Sequence, residues 1–341
     1  MKDILKYPFY LFGVAGKTKS FLENPVIGSK RLNTKGLHRG RVKLAARMAD
    51  SRRQRLGRLL TSSVRSQLDS DGFIFKENFL PGPVFDSLVE EIYSRPLAAH
   101  EMRQGLAVNR MTALGPEVLK NMPVTGSFIK DIQVREMLHY AASYGGEPVF
   151  SIQTIISDSD INKTDPQTEL HSDTFHPTSK AWLFLHDVGP EDGPFTYAPG
   201  SHQLTAKRLE WEYEQSLTAS SDPRVHHSLG SFRISESELL ELGYKPRMFT
   251  VRANTLVVAD TRGFHGRTPS TRPTTRVAIY AYLRRNPFIP WTGFDISSLP
   301  FAKYRMLDAY LKYLAIRERK VGKKSIWRDV GEIRVDAPAN I

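Results

Sequence analysis

A helix-supported jelly roll, mainly β with flanking α-helices, is the fold class this sequence predicts, on three observations. Short apolar or alternating runs recur near 72–77, 148–157, 168–175, 180–187, 193–198, 247–259 and 275–283, divided by residues that favour turns. In the last of these runs Val277, Ile279, Ala281 and Leu283 alternate with Arg276, Ala278, Tyr280 and Tyr282. One face of that strand is therefore packed and the other forms a polar cavity wall. Finally, 341 residues with 40% apolar content can bury one large core, and no internal repeat or low-complexity tract suggests a different architecture.

Taken in order, residues 1–36 read as irregular, rich in Gly, Pro, Asn and Lys, with apolar beads at Ile4, Leu5, Phe9, Tyr10, Leu11, Phe12 and Phe21. From 37 to 67 there is no proline, and Val42, Ala45, Ala46, Leu56, Leu59, Leu60 and Val64 recur among many arginines. That pattern predicts one helix with a densely cationic polar face. Further helices are expected near 84–94, 116–121, 129–144 and 302–318. The division that follows is a basic N-terminal arm and helix at 1–66, a barrel domain at 67–300 and a C-terminal helical extension at 301–341.

Charge is distributed unevenly along the chain. Residues 1–66 hold 16 of the 48 Lys and Arg but 3 of the 36 Asp and Glu, leaving 32 against 33 in the rest. The net charge of +12 thus belongs to the arm, and the barrel domain is close to neutral. With no cysteine, disulfides, thiolate metal sites and cysteine nucleophiles are excluded. No apolar run reaches the length of a membrane span, and Pro8 interrupts the short apolar start expected of a signal peptide.

The chemistry concentrates at Leu170-His171-Ser172-Asp173-Thr174, with His265 and Arg276 farther along. On an extended strand His171 and Asp173 project from the same face, where a metal could take both. One imidazole from a distant strand, His265, completes a two-histidine, one-carboxylate set that leaves adjacent positions open on Fe(II). A histidine and an aspartate two apart arise by chance in many chains, and a hydrogen-bonded surface cluster is the plain alternative.

The surrounding blocks resemble the phytanoyl-CoA dioxygenase family of Fe(II)/2-oxoglutarate oxygenases across roughly residues 67 to 290. They are Asp71-Gly72-Phe73-Ile74-Phe75, the His171-Ser172-Asp173 triplet, Glu191-Asp192-Gly193-Pro194-Phe195 leading to Pro199-Gly200-Ser201-His202, and His265-Gly266-Arg267 with Arg276-Val277-Ala278-Ile279. The resemblance implies a double-stranded β-helix of the jelly-roll, cupin-like kind. It implies His171, Asp173 and His265 as ligands of catalytic Fe(II), and 2-oxoglutarate and O2 as cosubstrates. It further implies oxidative decarboxylation to succinate and CO2 coupled to hydroxylation; the carboxylate of Asp173 favours this over halogenation, since halogenating relatives carry a small residue there. Arg276 is expected to grip the distal carboxylate of 2-oxoglutarate, although Arg267 and Arg272 could compete. Trp182 is expected beside the cosubstrate and Gln153 as a polar cavity residue. His176, His186, His202, His226 and His227 are read as structural or exposed.

Substrate and partners are read from the arm. Its charge and aromatics suit an anionic partner, and its aliphatic beads favour an anionic membrane surface over nucleic acid. The expectation is a cytoplasmic enzyme, peripheral to the membrane at most, acting on a small or lipid-linked metabolite. The alternative is an oxygenase whose basic arm docks a nucleic acid or a protein.

Overall fold

The computed structural model describes residues 7–158 and 165–341. Strands fall at β1 (Phe73–Lys76), β2 (Leu97–Gln104), β3 (Ala107–Ala113), β4 (Val149–Ser157), β5 (Ser179–Phe184), β6 (Phe195–Tyr197), β7 (Arg247–Phe249), β8 (Thr255–Asp260), β9 (His265–Arg267), β10 (Thr274–Leu283) and β11 (Arg328–Ile333). They form an antiparallel eight-stranded sheet, ordered β1-β8-β5-β10-β4-β3-β2-β11, and a three-stranded sheet, β7-β6-β9. The period-two pattern decides which side chains go where. Alternate residues Ala181, Leu183, Leu256, Val258, Val277, Ile279 and Ala281 pack beneath the large sheet against Leu88, Ile92, Phe128, Val134, Met137 and Leu138. These last come from helices at Gly82–Tyr93, Pro123–Lys130 and Ile132–Ala141. The other face of the large sheet meets the small one through Phe73, Phe184, Tyr197, Phe249, Val257 and Ala278, with Trp182 and Phe195 half-buried among them. Helix layer, large sheet and small sheet make the jelly roll, and the site lies between the two sheets.

Several elements differ from the sequence reading. The stretch 168–175 is not a strand: His171 alone makes β-bridges, to Arg233 and His265, and the chain bends on either side. The expected strand 247–259 is two, β7 and β8, broken where Asn254 takes a left-handed φ of 62°. The long basic helix divides into Leu37–Leu56 and Ser62–Asp71, with the turn after Gly57 closing against the ring of Tyr140. Helix 129–144 is likewise two, because Asp131 caps a new start by accepting from the Gln133 and Val134 amides. Residues 1–36 contain helices at Tyr7–Val14 and Lys30–Thr34; Ile4 and Leu5 lie outside the described residues. The hairpin β2–β3, the edge strand β11 and the helix Ala206–Thr218 have no counterpart in the sequence reading.

Part of the cationic face expected of the basic helix is taken up by the fold, while Lys43, Arg47, Arg55, Arg58 and Arg65 stay exposed. Arg52 is 1% exposed and donates to the carbonyls of Ser143 (2.7 Å), Pro287 (3.0 Å) and Ile289 (2.7 Å) and to the Ser143 hydroxyl (3.0 Å). Arg53 pairs with Asp260 at 2.7 Å, and Arg41 donates to the carbonyls of Val14, Gly16 and Thr18. Guanidinium groups with five donors can tie together carbonyls that no helix or strand satisfies, which suits them to this role. Among the described residues no helix is long and apolar enough to cross a membrane.

Candidate active site

His171 reaches the site through a pair of main-chain hydrogen bonds with His265, each amide donating to the other's carbonyl at 2.9 Å. Asp173 is fixed by its amide, which donates to the Thr261 carbonyl at 2.9 Å, and Ser172 by its hydroxyl, 2.8 Å from the Arg262 carbonyl. The segment after β8 therefore holds both halves of the site in register. Close approach matters at Gly263, where a Cβ would sit 1.9 Å from the Tyr197 hydroxyl that donates to the Asp260 carbonyl. Only glycine leaves room for that contact one turn ahead of His265.

The three side chains converge, with one ligand atom from each of His171, Asp173 and His265 lying within 4.8 Å of the others. Asp173 Oδ1 is 3.8 Å from His171 Nε2 and 3.7 Å from His265 Nε2. Each histidine uses Nδ1 on a backbone carbonyl, His171 on Glu169 at 2.8 Å and His265 on Gly263 at 2.9 Å. A carbonyl only accepts, so Nδ1 carries the proton and Nε2 presents its lone pair inward. His265 Nε2 is buried and has no protein partner. Burial holds the imidazole of His265 down to about 4, and burial followed by repulsion from His265 depresses His171 well below its usual value. Both rings are thus neutral ligands at physiological pH. Burial works against the charge of Asp173, but Lys180, then His265 and His171, outweigh it and keep the carboxylate well below its normal range. Two neutral imidazoles and one carboxylate fit a divalent iron ion.

Lys180 was not singled out in the sequence, and its role is geometric. Its Nζ lies 2.7 Å from Asp173 Oδ2, which leaves Oδ1 for the metal. The signal was present: Lys180 sits two residues before Trp182, on the same inward face of β5.

The structure brings together Trp182 and Gln153, with the indole Nε1 donating to Gln153 Oε1 at 3.3 Å. They meet across Ala278, which registers with Gln153 on one side and Phe184 on the other. Gln153 also donates to Asn109 Oδ1 at 3.3 Å, while Trp182 packs on Phe195 and Tyr280. Of the three arginines, Arg267 pairs with Asp165 and Arg272 with Asp192, whereas Arg276, among the described residues, meets the Gly193 carbonyl and keeps a buried Nε without a partner. Burial pushes Arg276 down to about 9, so it remains cationic near neutrality. His176 and His202 are buried and hydrogen-bonded or packed away from the ligand set, in line with a structural role.

A jelly roll with a two-histidine, one-carboxylate set on its inner wall defines a mononuclear non-haem iron oxygenase. Residues 68–233 match the phytanoyl-CoA dioxygenase (PhyH) family model, and the protein is an Fe(II)/2-oxoglutarate-dependent enzyme. No protein of curated function matches the chain. Among solved structures, the chain is similar to the α-ketoglutarate-dependent epimerase SnoN from nogalamycin biosynthesis, at 16% identity and TM-score 0.41, over 72% of this chain and 93% of that one. HygX from Streptomyces hygroscopicus, with nickel and 2-oxoglutarate bound, is similar at 14% identity and TM-score 0.41, over 72% and 94% of the two chains. EctD from S. alaskensis, with 2-oxoglutarate and 5-hydroxyectoine, is similar at 14% identity and TM-score 0.40, over 66% and 77%. Likeness at that level is too distant to transfer a ligand or a substrate.

Proposed function

We propose that the chain hydroxylates a C–H bond of a small or lipid-linked metabolite while converting 2-oxoglutarate to succinate and CO2. The observation that supports this most directly is the inward pair of unprotonated Nε2 atoms, on His171 and His265, facing Asp173 Oδ1. Bound there, iron supplies the dioxygen chemistry, and the protein supplies position and shelter. His171 Nε2, His265 Nε2 and Asp173 Oδ1 would hold the metal. Lys180 keeps Asp173 from turning its second oxygen inward. Arg276 supplies N–H donors for the distal carboxylate of 2-oxoglutarate, since among the described residues its guanidinium, unlike those of Arg267 and Arg272, makes no direct ion pair. Trp182, held by Gln153, walls the cosubstrate with apolar surface and excludes water.

The test is anaerobic reconstitution with Fe(II) and 2-oxoglutarate, followed by aerobic screening of metabolite fractions for succinate release. Substrate-dependent succinate with a product heavier by one oxygen supports hydroxylation. Succinate release with an isomerised or desaturated product would keep the enzyme class and remove hydroxylation.

A further inference from the structure

We propose that Lys19 and Arg284 form a receptor for an anionic group of the substrate, phosphoryl or carboxylate, at the end of the barrel away from Arg276. This rests on the iron and 2-oxoglutarate reading above and adds the substrate's charge to it. On β10 the inward positions run Arg276, Ala278, Tyr280, Tyr282, and the next position of that alternation is Arg284, exposed just past the strand's end. Across from it on β5, Lys180 registers with Tyr282 and Trp182 with Tyr280. The inner wall thus carries cations at both ends, about 26 Å apart along an extended strand. One five-carbon diacid reaching from the metal to Arg276 cannot use both.

Lys19 comes from a segment that is fixed in place. Arg41 binds the carbonyls of Val14, Gly16 and Thr18 at 2.9, 3.2 and 2.6 Å. The amides of Phe21 and Leu22 donate to the Ser228 carbonyl at 2.9 and 3.1 Å. Gly230, at φ 81°, lies so close that a Cβ there would be 2.1 Å from the Lys19 carbonyl. Held this way, the Lys19 ammonium donates to the main-chain carbonyl of Asp173.

The charge balance around it is one-sided. Lys180, Arg233 and Arg284 stand near enough to repel the Lys19 ammonium. The carboxylates acting on this group, among the described residues, are Asp173 and Glu169. Asp173 is committed to Lys180 and the metal, and Glu169 is 54% exposed and 3.7 Å from Arg233. A half-buried lysine facing three other cations is held against their repulsion, and an anion lodged among them relieves it. An anionic substrate does that, and it orients its C–H bond from the far end of the cavity.

The experiment uses the full chain loaded with Ni(II) and saturating 2-oxoglutarate, which occupies Arg276, and follows thermal stability during titration with inorganic phosphate or acetate against chloride at constant ionic strength. The expected result is a saturable shift with one of the two anions, weakened at least tenfold in Lys19→Met and Arg284→Met, retained in Lys19→Arg, and unchanged in Arg65→Met. Phosphate alone shifting the wild type assigns a phosphoryl group, and acetate a carboxylate. No anion-specific shift, or a shift equal in Lys19→Met that is folded by circular dichroism, overturns the receptor. The Fe(II)–2-oxoglutarate absorption band, recorded anaerobically on the same proteins, reports separately on the cofactor reading. Its absence beside a Lys19-dependent shift would leave the receptor standing and remove the iron assignment.

Discussion

Replacing Arg276 with leucine removes an inward guanidinium that makes no direct ion pair with a carboxylate among the described residues. Arg276 is 9% exposed, donates to the Gly193 carbonyl, and leaves a buried Nε unpaired. A charged, hydrogen-bonded pair in so desolvated a place is worth about 2–5 kcal/mol on truncation of one partner. At about 1.4 kcal/mol per decade, 2-oxoglutarate should bind roughly 30- to 3,000-fold more weakly. Iron affinity should change far less, because none of the three ligands contacts Arg276. The assay is anaerobic calorimetry of the Fe(II)-loaded protein with 2-oxoglutarate, alongside direct metal titration. Arg272→Leu, which removes the pair between exposed Arg272 and buried Asp192, serves as the control and should change affinity far less. Wild-type affinity in Arg276→Leu together with a large loss in Arg267→Leu or Arg272→Leu would refute the assignment and move the role to that residue.

Further outcomes follow from the same geometry. His171→Ala or Asp173→Ala should abolish metal-dependent turnover and the Fe(II)–2-oxoglutarate band while circular dichroism stays native; full activity in both would remove the iron centre. Lys180→Met frees Asp173 Oδ2, and losing such an outer partner typically costs 10- to 100-fold, about that much being expected in Fe(II) affinity by competition with a chelator. Burial lowers His139 and His227 to about 4 and His176 and His202 to about 3, whereas the unfolded imidazoles titrate near 6.5. The unfolded chain therefore takes up protons that the native one refuses: stability is full above about 6.5 and declines as pH falls toward 4, a loss to be read as a lower melting temperature at pH about 5 than at 7.5. The sequence alone suggests that catalysis on a soluble substrate survives deletion of residues 1–36, but Lys19 stands against Asp173. The expected result is now a large loss of turnover with 2-oxoglutarate binding retained, measured by succinate release and calorimetry.

The sequence by itself determined the fold class and singled out the three side chains, His171, Asp173 and His265, that the fold brings together. Strand alternation is local, so Arg276 to Leu283 already separated a packed face from a cavity wall. Ligand chemistry is equally local in residue type: histidine and carboxylate two apart, a distant histidine, and the family's blocks around them. Tertiary structure alone decided what depends on contacts between distant segments. His171 and Asp173 are aimed by isolated bridges from His171 to His265 and Arg233 and by the Thr261 carbonyl, not by the strand that alternation implied. Spacing already pointed to Arg276, and the fold adds that Arg267 pairs with Asp165 and Arg272 with Asp192. The basic N-terminal region read as an arm for an anionic surface because charge along a chain shows neither burial nor partner. In the fold Arg41, Arg52 and Arg53 satisfy carbonyls and a carboxylate far away in sequence, and Lys19 lies beside a metal ligand 154 positions later.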